Sequence, residues 1–177
     1  MTDKKLIKSC KKGDRKAQHA LYQANKTYLF GVCMRYGKTR QEAEDILQEG
    51  FYRIFKDIGQ FSGSVPIRAW MRKVMVNSAL MHVRKHHKLE LTDIDDYAFE
   101  AYGPKDTNLL NEDRAKAIIY LIRQLPPLQQ TIFNLRAMEE YSFKEISALL
   151  GGNEATLRSH YLRARKALQG LLKQEFI

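Results

Sequence analysis

Apolar residues recur every three or four positions along most of this chain, and no stretch alternates between apolar and polar residues as a half-buried strand does. We therefore predict an all-α fold. The N-terminal stretch "LIKSCKKGDRKAQHALYQANKTYLFGVCMRYG" predicts two helices, which break near Gly13 and Asp14 and again around Gly37.

A third helix is predicted from Thr39, because the sequence "TRQE" has a capping-box pattern in which a carboxylate follows a hydroxyl three residues later. We expect its apolar stripe to consist of Ala43, Ile46, Leu47, Ile54, Phe55 and Ile58, with Phe51 at the edge. The sequence "DIGQFSGSVP" then ends this helix, and Ser64 as N-cap with Pro66 near the first turn predicts a fourth. Its inward residues are predicted to be Ile67, Trp70, Met71, Val74, Ser78 and Met81.

The C-terminal sequence "YSFKEISALLGGNEATLRSHYLRARKALQGLLK" predicts two helices joined by a tight turn. Ser142 and Glu145 have the capping-box spacing, the first helix runs to Leu150, and Asn153 caps a longer helix after two glycines. The inward positions of the longer helix are predicted to be Leu157, Tyr161, Ala164 and Leu168. This is the layout of a helix-turn-helix, whose second helix enters the major groove of DNA, although a plain helical hairpin has the same pattern.

At 177 residues, of which 44% are hydrophobic and 28% are charged, the chain can bury one modest core or two small ones. No apolar run approaches the roughly 18 residues of a membrane span, and the start "MTDKKLIKSC" lacks the apolar core of a signal peptide. We therefore expect a globular cytoplasmic protein that does not insert into a membrane. Cys10 and Cys33 lie in apolar helical patterns without metal or disulfide spacing, so we expect them to act as small hydrophobic residues.

The formal net charge of +10 is distributed unevenly. Residues 1–88 carry +12, residues 89–113 carry −7 and residues 114–177 carry +5. The middle segment lacks helical periodicity and is predicted to be a flexible acidic linker between two basic domains. Lysine and arginine gain affinity for nucleic acid by neutralising phosphates and releasing counterions, but basic surfaces also serve solubility. Composition alone leaves both interpretations open.

Four sequence blocks occur in the order and spacing of one known family: "EDILQEGFYRIF", "QFSGSVPIRAWMRKVMVNSALMHVRKHH", "LPPLQQTIFNLRAMEEYSFKEISALL" and "EATLRSHYLRARKAL". In these blocks the chain resembles the extracytoplasmic-function (ECF) sigma factors of bacterial RNA polymerase. The resemblance implies sigma domain 2 at residues 1–88, the linker at 89–113, and sigma domain 4 with the helix-turn-helix at 114–177. It implies a protein that recognises and melts promoter DNA, with core polymerase, promoter DNA and an anti-sigma factor as partners.

In the family, the helix that matches residues 42–58 binds the clamp helices of the largest polymerase subunit. The resemblance assigns this contact to Asp45, Gln48, Glu49 and Tyr52. These residues are predicted to lie opposite the apolar stripe, where carboxylates can accept charge-assisted hydrogen bonds from arginines of a partner. The alternative is a solvated acidic face that stabilises the helix N-terminus, which is our interpretation of Glu42 and Glu44.

Promoter opening in the family involves the region after that helix. The loop Phe61–Val65 corresponds to the loop that captures an unstacked base of the minus-ten element, through the small residues Ser62, Gly63 and Ser64. The residues of the next helix that are expected to contact the separated strand are Arg68, Arg72, Lys73, Asn77, Arg84 and Lys85. Trp70 is expected in the core, and Pro66 replaces the polar or small residue usual in the family, which leaves the base preference of the loop open.

Recognition of the minus-thirty-five element is implied for the last helix, at Thr156, Arg158, Ser159, Leu162, Arg163 and Lys166. Arg158 can donate two hydrogen bonds to guanine, and Leu162 can contact a thymine methyl group. His160 stands at a commonly basic position of the family and Leu162 at a commonly polar one. We therefore expect this protein to read a promoter sequence of its own.

Two other functions fit parts of the chain. His82 and His86 have the i, i+4 spacing of metal ligands, but Arg84 and Lys85 would repel a cation, and the motifs supply no set of catalytic side chains. We therefore expect no enzymatic activity, no catalytic residues, no metal site and no cofactor. A helix-turn-helix regulator that acts without polymerase explains the C-terminal domain, but it leaves the acidic helix face of the first domain without a role.

Overall fold

The computed structural model describes residues 3–87, residue 89 and residues 114–176, and all regular secondary structure within them is helical. The predicted all-α fold is therefore confirmed. The chain divides into two compact units, Met1–His82 and Val83–Ile177. The predicted acidic linker lies outside the described residues except for Leu89, and the domain limits derived from the sequence stay predictions.

The helices of the N-terminal region are α1 (Asp3–Lys11), α2 (Arg15–Tyr36), α3 (Arg40–Asp57) and α4 (Ile67–His86), with a 3₁₀ turn (Ile58–Gln60) after α3. The predicted break between α1 and α2 is confirmed. Gly13 has φ +79°, a conformation that favours glycine. Asp14 then caps α2, since its Oδ1 atom accepts hydrogen bonds from the backbone N–H groups of Lys16 (2.9 Å) and Ala17 (3.3 Å).

Helices α3 and α4 approach each other closely at Gly50. The apolar stripe of α3 faces the core as predicted, since Ile46 and Ile54 are fully buried. Met75 of α4 is also fully buried, and a Cβ atom added at Gly50 would overlap its sulfur atom. A larger residue at position 50 therefore requires the buried side chain of Met75 to move.

Replacing Gly50 by alanine is expected to lower the free energy of unfolding by about 1–2 kcal/mol, because overpacking of the core outweighs the gain in helix propensity. Gly31→Ala is the matched control, since Gly31 also lies within a helix but nothing lies within 4 Å of an added Cβ atom. We expect the control to gain up to about 1 kcal/mol from helix propensity alone. Urea unfolding measures the difference, and equal shifts in both variants would contradict tight packing at Gly50.

The start of α4 differs from the sequence prediction. The helix begins at Ile67, and the carbonyl of Pro66 accepts a hydrogen bond from the N–H of Ala69 at 3.0 Å, so Ser64 is not the N-cap. A residue that precedes proline is disfavoured in the helical conformation, because its backbone clashes with the proline ring. The helix therefore starts after the proline rather than before it.

The buried stripe of α4 also differs in part from the prediction. Met81 is 49% exposed, contrary to its predicted inward position, whereas Met71 and Ser78 are buried as predicted. The other buried residues of the helix are Met75, Val76, Ala79, Leu80 and Val83. The stripe is centred on the side of the helix where Met75 meets Gly50, and this orientation turns Met81 away from the core.

The helices of the second unit are α5 (Arg114–Gln124), α6 (Pro127–Phe133), α7 (Phe143–Leu150) and α8 (Glu154–Phe176), with a π-helical turn (Asn134–Met138) after α6. A cluster of buried apolar side chains joins the α5 region to α8 and comprises Leu121, Ile122, Leu125, Ala164, Leu168 and Leu171. The inward position predicted for Leu157 is confirmed, because this residue is fully buried. The amphipathic pattern of α8 thus decides which of its faces remains for a partner.

The local geometry of the predicted helix-turn-helix is confirmed. Ser142 and Glu145 form a reciprocal capping box at the start of α7. Gly151 and Gly152 turn the chain with φ values of +82° and +77°. The hydroxyl of Ser147 donates a hydrogen bond to the carbonyl of Gly152 at 2.6 Å, which fixes the turn to the end of α7.

Both cysteines are free thiols buried in the first unit, as expected for small hydrophobic residues. Burial raises the pKa of the Cys33 thiol to about 12, and burial likewise raises the pKa of Cys10. The reactive thiolate form is therefore suppressed at neutral pH. Within residues 3–87 and 114–176, no helix combines the length and the apolar character needed to cross a membrane.

Candidate protein-binding and nucleic-acid surfaces

The outward side of α3 carries the four residues predicted to bind a protein partner, and we call Asp45, Gln48, Glu49 and Tyr52 the acidic face. All four are exposed, and Tyr52 is 62% exposed although it is a large aromatic residue. They lie opposite the buried residues Ile46 and Ile54. The structure therefore brings the predicted set together on one accessible surface.

The carboxylates of the acidic face have partners within their own helix. Asp45 Oδ1 accepts a hydrogen bond from Gln41 Nε2 at 3.1 Å, and Glu49 Oε1 accepts one from Arg53 Nε at 2.8 Å. Exposed pairs at i, i+4 spacing contribute only about 0.3–0.5 kcal/mol. An arginine of another protein can therefore replace these partners at small energetic cost.

The two acids at the start of α3 have local roles, as the sequence analysis proposed. Glu42 Oε2 accepts a hydrogen bond from the backbone N–H of Lys38 at 2.9 Å, while Thr39 Oγ1 accepts one from the N–H of Glu42 at 3.1 Å. Glu44 pairs with Arg40 across one helical turn at 3.0 Å. The four acids between residues 42 and 49 are thus divided between the helix start and the acidic face.

The loop Phe61–Val65, which we call the minus-ten loop, is held at one end and exposed in the middle. The ring of Phe61 is buried against Trp70, with ring centroids 5.6 Å apart, and its carbonyl accepts a hydrogen bond from Lys11 Nζ at 2.6 Å. The hydroxyls of Ser62 and Ser64 lie 2.9 Å apart and form a hydrogen bond. The exposed centre of the loop therefore presents hydroxyl and backbone groups, while the Phe61 end of the loop is held in place.

Two of the predicted strand-binding arginines contact α2. Arg68 Nε donates a hydrogen bond to Asn25 Oδ1 at 3.3 Å, and its guanidinium lies over the ring of Tyr28 at 5.0 Å. Arg72 Nη1 donates a hydrogen bond to the hydroxyl of Tyr28 at 3.0 Å. Asn25 and Tyr28 were not among the residues predicted from the sequence. Asn25 could have been recognised from its place in an apolar stripe, because a buried polar residue needs hydrogen-bond partners.

The other polar residues predicted on α4 are exposed: Lys73, Asn77, Arg84 and Lys85. Arg68 is exposed as well, although it contacts α2, and Arg72 is half-buried. Trp70, which was expected in the core, is half-buried and packs on Phe61. The two arginines next to Tyr28 are oriented by the fold before any ligand arrives.

The predicted DNA-reading residues of α8 form what we call the recognition face: Thr156, Arg158, Ser159, Leu162, Arg163 and Lys166. Thr156 and Arg163 are half-buried and the others are exposed, with Leu162 at 54% despite its apolar side chain. His160 is only 8% exposed, because it follows Leu157 by three residues and shares its buried side. The side chain of His160 is therefore not part of the recognition face.

Several arginines of the second unit lie over aromatic rings. The guanidinium of Arg158 lies over the ring of Phe143 at 5.2 Å, and that of Arg136 lies over the same ring at 5.4 Å. Phe143 in turn contacts Tyr161 edge-on, with ring centroids 5.8 Å apart. Phe143 and Arg136 were not among the residues predicted for this surface from the sequence. Cation–π contacts of this kind restrict the directions that a guanidinium can take.

The sequence also matches two family profiles. Residues 21–89 match the profile described as Sigma-70 region 2, and residues 115–168 match the profile described as Sigma-70, region 4. Together these ranges cover more than half of the chain. The first contains the acidic face and the minus-ten loop, and the second contains the helix-turn-helix.

Relatives match along nearly the whole chain. The RNA polymerase sigma-H factor of Pseudomonas aeruginosa is 27% identical, over 97% of this chain and 96% of that protein. The ECF RNA polymerase sigma-E factor of Escherichia coli K12 is 25% identical, over 95% of this chain and 93% of that protein.

Solved structures share the fold. CnrH, in complex with the cytosolic domain of CnrY, aligns with a TM-score of 0.52 and 18% identity over 98% of both chains. The sigma factor RpoE of Bartonella quintana, in complex with the anti-sigma factor NepR, aligns with a TM-score of 0.53 and 17% identity over 88% of this chain and 96% of that one. From the two matched profiles and these relatives, the chain belongs to the sigma-70 family and is an RNA polymerase sigma factor of the ECF type.

Proposed function

We propose that this sigma factor uses three separate surfaces in promoter-specific initiation. The acidic face of α3 binds core polymerase, the minus-ten loop with α4 binds the melted promoter strand, and the recognition face of α8 reads the minus-thirty-five element. The observation that carries the proposal is the separation of charge between the predicted sets: the exposed carboxylates of Asp45 and Glu49 lie on α3, whereas the exposed cations of the two predicted DNA-binding sets lie on α4 and α8. An arginine-rich protein surface would therefore be attracted to the acidic face of α3, and DNA phosphates would be attracted to the cations of α4 and α8.

The minus-ten element would be bound by two kinds of contact. An unstacked base would hydrogen-bond to the hydroxyls of Ser62 and Ser64 and to the loop backbone, which Gly63 turns with φ +82°. Lys73, Arg84 and Lys85 supply exposed positive charge for phosphates. The Nη groups of Arg68 would add further donors, since a guanidinium has five N–H groups and the Nε of Arg68 binds Asn25.

The minus-thirty-five element would be read in the major groove by α8. Arg158, which is exposed, would donate two hydrogen bonds to one guanine, and the exposed Leu162 would contact a thymine methyl group. The hydroxyl of Ser159 donates to the carbonyl of Ala155 at 3.1 Å, so its oxygen is oriented to accept a hydrogen bond from a base. Lys166 would contact a phosphate.

Core polymerase and promoter DNA are the partners in this proposal, and an anti-sigma factor is a third. The third is supported by the two structural relatives, one of which is a sigma factor bound to an anti-sigma factor. Action on bacterial polymerase implies that the protein works in the cytoplasm. The protein itself would have no enzymatic activity, since nucleotide addition belongs to the core enzyme.

Transcription from a promoter by purified core polymerase tests the proposal directly. We expect core polymerase plus this protein to start transcripts at defined positions downstream of paired minus-thirty-five and minus-ten elements, and core polymerase alone to give no such starts. A regulator that acts without being a polymerase subunit would bind the DNA but would not restore specific initiation to core polymerase. That outcome, with folded protein, would overturn the assignment of the three surfaces.

A further inference from the structure

The first helix carries a dense set of exposed cations that the proposed surfaces leave unused. Within and just after α1, the exposed lysines are Lys4, Lys5, Lys8, Lys11 and Lys12. The acids of this stretch are Asp3 and Asp14, and the carboxylate of Asp14 is engaged in capping α2. The helix lies before residue 21, where the match to Sigma-70 region 2 begins.

The lysines on this side of α1 repel one another. Lys4 and Lys8 lie at i, i+4 spacing within the helix, a like-charged pair that destabilises a helix by about 0.2–0.5 kcal/mol, and Lys12 follows at the same spacing just after the helix end. Lys4 also lies in the first turn of α1, where the helix dipole disfavours a cation, whereas the dipole favours Lys8 in the last turn. Among the described residues, no carboxylate forms an ion pair with these three lysines. A bound polyanion would relieve both effects.

A direct contact fixes this helix beside the minus-ten loop. Lys11 Nζ donates a hydrogen bond to the carbonyl of Phe61 at 2.6 Å, and the same ammonium group lies 6.0 Å from the centroid of the Phe61 ring. Phe61 is the first residue of the loop, so the C-terminal end of α1 adjoins the place where a base would be captured. Lys8 lies about one helical turn, roughly 5 Å, before Lys11 along the helix.

We propose that Lys4, Lys8 and Lys12, the α1 basic face, bind phosphates of the promoter strand next to the base held in the minus-ten loop. Lys11 positions this face by fastening α1 to the loop. The inference rests on the proposed role of the minus-ten loop and extends its binding surface to a helix outside the matched region. A basic helix also attracts anionic lipid, but the contact with the loop favours nucleic acid.

The salt dependence of promoter binding tests this inference with the holoenzyme. The variant Lys4→Gln/Lys8→Gln/Lys12→Gln removes three charges from exposed positions, and the matched control Lys4→Arg/Lys8→Arg/Lys12→Arg keeps them. We expect the slope of log K against log salt concentration to become shallower by about 2 to 3 in the glutamine variant, as for three lost phosphate contacts. The arginine variant should keep the wild-type slope.

Three outcomes would overturn the inference. An unchanged slope in the glutamine variant would show that the α1 basic face does not contact DNA. An unchanged slope with lost binding to phosphatidylglycerol vesicles would assign the face to a lipid surface instead. Failure of the wild-type holoenzyme to bind any promoter would overturn the proposed function and, with it, this inference. This result differs from an unchanged slope in the glutamine variant, which would overturn the inference alone.

Discussion

Reversing Asp45 and Glu49 to arginine is expected to weaken binding of core polymerase by at least about 100-fold and to abolish promoter-specific transcription. Each carboxylate would lose a charge-assisted hydrogen bond to the partner, worth about 1.5–3 kcal/mol, and the new cations would repel the partner's arginines. A total of about 3 kcal/mol already corresponds to more than 100-fold in the dissociation constant. Binding of the labelled variant to immobilised core polymerase measures this loss.

The double reversal should leave the fold almost unchanged. Both residues are exposed, and their contacts with Gln41 and Arg53 lie within α3 and contribute little to the free energy of unfolding. The control variant Glu44→Arg/Asp57→Arg makes the same change in net charge on the same helix, outside the acidic face. We expect the control to retain core polymerase. Equal losses in the two variants would mean that net charge, and not the acidic face, governs the association.

Replacing Arg158 by alanine is expected to weaken binding to DNA that contains the minus-thirty-five element by about 5- to 150-fold, equivalent to about 1–3 kcal/mol. The loss should remove the preference for guanine at one position only, because a bidentate contact reads a single base. Competition binding with each base in turn at every position of the element measures this change. A uniform loss over all sequences would instead assign Arg158 to the DNA backbone.

Two further variants distinguish recognition of a specific base from sequence-independent attraction to DNA phosphates. Lys166→Ala should weaken binding about equally for all sequences and reduce the salt slope by about 1, as expected for one phosphate contact.

Phe143→Leu keeps an apolar side chain but removes the ring beneath Arg158. The guanidinium of Arg158 lies 5.2 Å from the centroid of that ring. We expect it to reduce the preference at the same base position as Arg158→Ala, by a smaller factor. A change at any other position would contradict a positioning role for Phe143.

Local signals in the sequence predicted the starts of α2 and α7, but not the start of α4, where Ser64 is not the N-cap. Ser142 and Glu145 form the reciprocal box that their spacing indicated, and Asp14 caps α2 at the predicted break. The exposed set on α3 also followed from helical periodicity alone. These features depend on residues within one turn of each other, which a linear pattern records directly.

Contacts between distant residues could not be predicted in the same way. Arg68 and Arg72 reach Asn25 and Tyr28, which lie more than 40 positions earlier, and no local rule pairs them. The exposure of Met81 is of the same kind, since it depends on which side of α4 meets α3. Orientation between helices is set by packing, whereas a periodic pattern gives only an approximate direction.

The close approach at Gly50 has a consequence for the geometry of the initiation complex. In our proposal, α3 carries the surface that meets polymerase and α4 carries the surface that meets the melted strand. Gly50 allows these two helices to pack at close range, since an added Cβ atom would overlap the buried side chain of Met75. The distance between the two binding surfaces is therefore linked to the size of residue 50. If a larger residue there separates the helices, we expect promoter opening to become slower even where both partners still bind.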